Sequence, residues 1–99
     1  MEEYIYYNNL YDCYYSLLTD RQRSYFEDYY FSNLSLSEIA ENDGVSKNAA
    51  HKQIKNVVEK LKEYENKLHL YAKKYKILDL IKDIDDDKIK REIEDIVNE

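Results

Sequence analysis

Ser35-Leu36-Ser37-Glu38-Ile39-Ala40-Glu41-Asn42-Asp43-Gly44-Val45-Ser46-Lys47-Asn48-Ala49-Ala50-His51-Lys52-Gln53-Ile54-Lys55 is the stretch whose reading decides the fold. Ser35 followed by Glu38 is a capping box, in which each side chain meets an orphan backbone N–H at a helix start. A helix is therefore expected over residues 36–42. Asp43-Gly44-Val45 is a tight turn, because Gly44 takes the left-handed conformation that ends a helix. Ser46 then caps the next helix. Ala40 is the small residue where two helices cross, Val45 the apolar residue after the turn, and Ile39 and Ile54 the inward faces. Residues 35–60 thus fit a helix-turn-helix. The second helix of such a pair enters the major groove with its first residues at base edges, and its N-terminus suits a phosphate. Here those residues are Ser46, Lys47, Asn48, His51 and Lys52, with Lys55 and Asn56 reaching the backbone a turn later. Asp43 stands where a large apolar residue usually closes the motif, and Ala50 is smaller than the usual branched residue. Both imply a looser motif core, or one filled by some of the twelve tyrosines.

Charge singles out the same segment. The 99-residue chain has a net charge of −6, against a protein that binds polyanions through its overall field. Residues 46–62 alone are basic, at +4, while 1–18, 19–45 and 63–99 carry −3, −4 and −3. Arg21 and Arg23, at the start of the preceding helix, are expected to help clamp phosphates.

Outward from the motif, helical period organises the chain. Tyr7, Leu10, Tyr14 and Leu17 step by three and four, so a first amphipathic helix is expected over 3–18. Thr19 with Gln22 is a second capping box, opening a helix over 20–31 that buries some of Tyr25, Phe26, Tyr29 and Tyr30. Ser32-Asn33-Leu34 is a polar break. Beyond the motif, Ile54, Val57, Leu61, Tyr64, Leu68, Tyr71, Tyr75 and Leu78 are spaced 3, 4, 3, 4, 3, 4 and 3. That spacing predicts one long helix with a heptad seam. Its far half, from Leu61 and Tyr64 through Leu68, Tyr71, Tyr75 and Leu78, must be covered by a second copy in a homodimer or by the N-terminal helix of the same chain. Asp85-Asp86-Asp87 caps a last short helix with Ile89, Ile93 and Ile96 on one face. The expectation is an all-α chain, with a helix-turn-helix domain over 1–75 and a helical tail over 76–99.

The words Leu10-Tyr11-Asp12, Ser16-Leu17-Leu18-Thr19, Arg21-Gln22-Arg23-Ser24-Tyr25, Ser35-Leu36, Glu38-Ile39-Ala40-Glu41, Val45-Ser46 and Tyr64-Glu65-Asn66-Lys67-Leu68-His69-Leu70-Tyr71 occur in order over about 8–75. In them the chain resembles the small bacterial YlxM-like proteins, a family similar to region 4 of sigma factors. The resemblance implies an all-helical, sigma-like or winged-helix-like DNA-binding fold, and the expected function is that of a sequence-tolerant or regulatory DNA-binding protein. It also implies a link to the signal recognition particle pathway, with that particle's protein or RNA as the alternative partner.

Other function classes find no support. No run of about 18 apolar residues is present, so no membrane span is expected. Met1-Glu2-Glu3 lacks the basic-then-apolar start of a secretory signal, and a single cysteine, Cys13, suits a reducing cytoplasm. Cys13 is read as a small buried residue. Asp83, Asp85, Asp87 and Glu94 mimic calcium-loop spacing, yet Lys88 stands where the loop's glycine belongs. No catalytic constellation or phosphate loop is present, so no enzyme activity, cofactor or metal is expected.

Overall fold

The computed structural model describes residues 2–99, with side chains from residue 3. The helices are α1 (Glu2–Tyr14), α2 (Asp20–Tyr30), α3 (Leu36–Asp43), α4 (Lys47–Leu68), α5 (Leu70–Ile81) and α6 (Asp87–Val97), with a 3₁₀ turn at Tyr15–Leu17. The expected all-α fold is what the chain adopts. No strand, and so no wing, occurs among the described residues.

The caps form as the sequence requires. Thr19 Oγ1 accepts from the Gln22 N–H, and Gln22 Oε1 accepts from the Thr19 N–H. Asp86 is the member of the acidic triplet that caps α6, accepting from the N–H groups of Lys88 and Ile89. The first helix is shorter than its period suggested. It ends at Tyr14, and the tighter 3₁₀ turn moves the inward position on by one residue. Leu18 is therefore buried, and Leu17 is exposed.

α4 is the spine. One core cluster joins Leu10, Tyr11 and Tyr14 of α1, Leu18 after it and Phe26 of α2 to Val57, Val58 and Leu61 of α4. A second joins Tyr25 of α2 with Ile39 and Ala40 of α3 to Ala50 and Ile54. Aromatic rings fill much of the first: Tyr11 and Phe26 lie 4.4 Å apart and stacked, and Phe26 stacks on Tyr30 at 4.5 Å.

The single helix expected through Leu78 is not what forms. α4 stops at Leu68, His69 takes the left-handed conformation (φ 56°), and α5 begins at Leu70. A buried carboxylate holds this corner. Glu65, 8% exposed, accepts at Oε1 from the Tyr71 N–H and at Oε2 from the Ala72 N–H, both at 3.0 Å. The Tyr14 hydroxyl donates to Glu65 Oε1 at 2.5 Å and accepts from the Leu70 N–H at 3.0 Å. Three of the four orphan donors at the start of α5 are thus satisfied from outside the helix. α5 then lies against α1, where Tyr71 meets Tyr6 ring to edge at 5.6 Å.

The expected seam is divided by this corner. Leu61 is buried, and Tyr64, Tyr71 and Leu78 are half-buried, while Leu68 and Tyr75 remain exposed. α1 of the same chain covers Leu61, Tyr64 and Tyr71. α5 runs through residues 75 and 76, where the sequence suggested a domain boundary, and packs α6 through its buried Ile81 end. This added hairpin gives a radius of gyration of 16.8 Å, against about 13 Å for a compact chain of this length.

Removing the carboxylate strands two amide donors and a phenol. Glu65→Ala is expected to cost about 3 kcal/mol, lowering Tm by roughly 15 °C in a thermal melt. Tyr14→Phe is expected to cost about 1 kcal/mol. An unchanged Tm for Glu65→Ala would contradict the corner as described.

Alkaline pH tests the buried rings. Burial first, then the Glu65 carboxylate, pushes Tyr14 up to about 12, and burial with neighbouring tyrosines pushes Tyr30 up to about 12. The folded state holds their protons more tightly than the unfolded chain, whose tyrosines ionise near 10. Their contribution to stability is therefore complete below pH 10 and is lost as pH rises from 10 to 12. Helical circular dichroism should hold to about pH 10 and fall above it, with part of the tyrosine absorbance titrating only on unfolding.

Candidate nucleic-acid interface

The helix-turn-helix is α3, the Gly44 turn and the first turns of α4. Ser35 and Glu38 form the reciprocal cap of α3, each bond 3.1 Å long. α3 ends in a Schellman motif: the Val45 N–H donates to the Ala40 carbonyl and the Gly44 N–H to that of Glu41. Gly44 sits at φ 66°, and a Cβ placed there would meet nothing within 4 Å. Its requirement is thus conformational. Ser46 Oγ accepts from the Ala49 N–H to start α4.

Volume missing at Ala50 is supplied from α2. Ala50 is fully buried, and the Tyr25 ring packs with it beside Ile39, Ala40 and Ile54. Asp43 points away from this core and is exposed, so an acidic residue at that position leaves the motif intact.

The predicted contact residues of α4 come together. At 100° per residue, Lys47, Asn48, His51, Lys52 and Lys55 fall within an arc of about 140°. All five are exposed, as is Ser46. Among the described residues no carboxylate lies within 4.0 Å of Lys47, Lys52 or Lys55, although such pairs form at Lys62–Glu59 and Lys67–Glu63. Their charge is therefore free to act outward.

The two arginines differ. Arg21 lies over the Tyr25 ring at 5.7 Å and shares a surface cleft with Ser24, Asp28 and Asp43. Burial, then Asp43 and Glu27, raises the Asp28 carboxyl above the usual range. Arg23 is committed to the α1–α2 corner: it pairs with Asp20 and donates to the carbonyls of Tyr15 (3.2 Å) and Leu18 (3.1 Å). Asp28 and Lys62, whose Nζ lies 5.3 Å over the Tyr7 ring of α1, entered the sequence reading only as charges. The signal for Lys62 was its place in the basic segment 46–62 and its helical phase, seven residues after Lys55; Asp28 carried none.

The family profile described as "Putative helix-turn-helix protein, YlxM / p13 like" matches residues 1–99. The chain belongs to this family, UPF0122. The match takes in the tail 76–99, which the shared words in the sequence left out. A UPF0122 protein of Fusobacterium nucleatum is 39% identical over 98% of this chain and 94% of its own length. One from Oceanobacillus iheyensis is 44% identical over 82% of this chain and 80% of its own length. One from Streptococcus gordonii is 48% identical over 66% and 59%. The match thus covers the residues of α5 and α6 as well as those of the motif. No helix of the described UPF0122 chain is long and apolar enough to cross a membrane.

Gly44→Ala should cost about 1 kcal/mol for holding an L-residue in the left-handed region, or roughly 5 °C in Tm. Gly44→Asn, which tolerates that region, should cost less. Equal stability of all three chains would contradict the turn.

Proposed function

We propose that this UPF0122 chain binds nucleic acid through the exposed face of α4, and that duplex DNA entered through the major groove is its ligand in a regulatory role. The observation that carries the reading is the group of cations Lys47, Lys52 and Lys55, with no carboxylate within 4.0 Å among the described residues, beside Asn48 and His51 on the exposed face of a motif helix. Ser46, Lys47 and Asn48 lie at the helix start, where side chains of a docked recognition helix meet base edges. Lys52 and Lys55 face phosphates, and Arg21 extends the contact from α2. Arg23 reaches a phosphate only by leaving its corner. The function is binding rather than catalysis.

The cleft of Asp28 and Asp43 beside Arg21 favours a second reading. Two carboxylates near the turn repel a polyanion and suit a protein surface. In that reading the motif contacts the protein of the signal recognition particle, or its RNA, in the cytoplasm and without specific duplex binding.

Two chains would set two recognition helices against two half-sites. Of the seam, only Leu68 and Tyr75 are left exposed for a second copy, fewer residues than the spacing implied.

Loss of the Lys52 and Lys55 phosphate contacts should lower the slope of log K against log salt by about 2 for duplex DNA. Lys47→Glu, Lys52→Glu and Lys55→Glu combined are expected to do this in gel shifts across salt, with the circular dichroism spectrum unchanged. An unchanged slope would sink duplex binding by this face. Pull-down of the particle's protein or RNA, without duplex binding, would select the second reading. Equilibrium sedimentation should show a dimer that Tyr75→Glu dissociates; a monomer at high micromolar concentration would end the dimer.

A further inference from the structure

Beside the outer face of α4 lies a groove of about 260 Å³ between α1, α2 and α4. Tyr7, Tyr29 and Tyr30 line one side, and His51, Lys55 and Lys62 line the other. The tyrosine rings stand nearly perpendicular, Tyr29 to Tyr30 at 86° and Tyr7 to Tyr30 at 80°, with centroids 5.0 and 6.1 Å apart. The three rings thus form an edge-to-face cluster along the groove, with Lys62 Nζ 5.3 Å over the Tyr7 ring. The cations are exposed. His51 to Lys62 spans three turns of α4, about 16 Å of helix.

We infer that this groove takes an unpaired run of two or three nucleotides, whose bases meet the tyrosines and whose phosphates meet Lys55, Lys62 and His51. Aromatic side chains stack bases of any sequence, and a cationic rail follows the backbone. A free anion needs no aromatic wall. An acidic peptide satisfies the cations and leaves the rings unused. A duplex keeps its bases stacked inside, out of reach of side chains recessed between three helices. Glu59 is the acidic group on the rim, its Oε1 3.9 Å from Lys62 Nζ. It repels a phosphate at that point and accepts from the amino edge of adenine or cytosine, so a base belongs there. The inference rests on the proposal that the α4 face meets nucleic acid, and it adds that single strands are read along the flank of that face, against α1 and α2.

The test uses fluorescein-labelled hexamers of deoxyadenosine and of riboadenosine, and a 16-base-pair duplex, by anisotropy on the intact chain. The hexamers are expected to bind and to change tyrosine fluorescence. Lys62→Glu, on an exposed position, and Tyr29→Ala should each weaken hexamer binding about tenfold and leave duplex binding unchanged. Tyr29→Phe, which keeps the ring, should retain it. Lys62→Glu carries the result should Tyr29→Ala not fold. Equal affinity for the two hexamers assigns recognition to base and phosphate alone, and preference for the ribose form assigns the site to RNA; both support the groove. Duplex binding without hexamer binding, or hexamer binding indifferent to both variants, overturns the groove alone. Binding of neither probe overturns the groove and the α4 reading together.

Discussion

The Glu65 carboxylate is the constraint on which the rest of the arrangement depends. A buried acid costs free energy unless its oxygens are satisfied, and this one accepts from two amides of α5 and from the Tyr14 hydroxyl. One side chain on α4 thereby ties the end of α1 to the start of α5. Tyr14 completes the tie by accepting from the Leu70 N–H. Without these partners the first turn of α5 would be uncapped, and nothing on the chain would favour a turn at a non-glycine residue in the left-handed conformation.

Three helices decide which face of α4 stays open. α1 and α2 cover its inner side along Val57, Val58 and Leu61, and α3 covers its start at Ala50 and Ile54. α5 folds back on α1 instead of extending α4. The basic arc from Lys47 to Lys55 is left outward, on a helix braced along its length. Rigid support of this kind suits a surface that must present several side chains at once. It also creates the groove, because α1 and α2 approach α4 with tyrosines while α4 answers with cations.

The sequence exposed the motif and hid the corner. Capping boxes at Thr19 and Ser35, the cap at Ser46 and the turn at Gly44 are local and chemical, and each formed where the residues demanded. The break at His69 had no such sign. Neither glycine nor proline marks it, and the apolar spacing continues across it because α5 restarts after a single residue. Glu65 looked like one charge among many on a solvated helix face. Its burial follows from Tyr14, fifty-one residues away, and no periodicity reports such a pair. Leu17 and Leu18 exchanged roles for a similar reason, since a short 3₁₀ turn changes phase without a distinctive composition. In the candidate site, the α4 residues were legible from caps and charge together. The commitment of Arg23 to two carbonyls was not, because it depends on where the α1–α2 corner falls.

The central claim is that the outer face of α4 is where this UPF0122 chain meets nucleic acid. The most direct measurement is a residue-by-residue map of amide shifts in the ¹⁵N-labelled chain as a short duplex is added. The account predicts that perturbations centre on Ser46 to Lys55, with Arg21 at their margin and α6 silent. Shifts confined to α5 and α6, or spread without focus over the acidic surfaces, would contradict it.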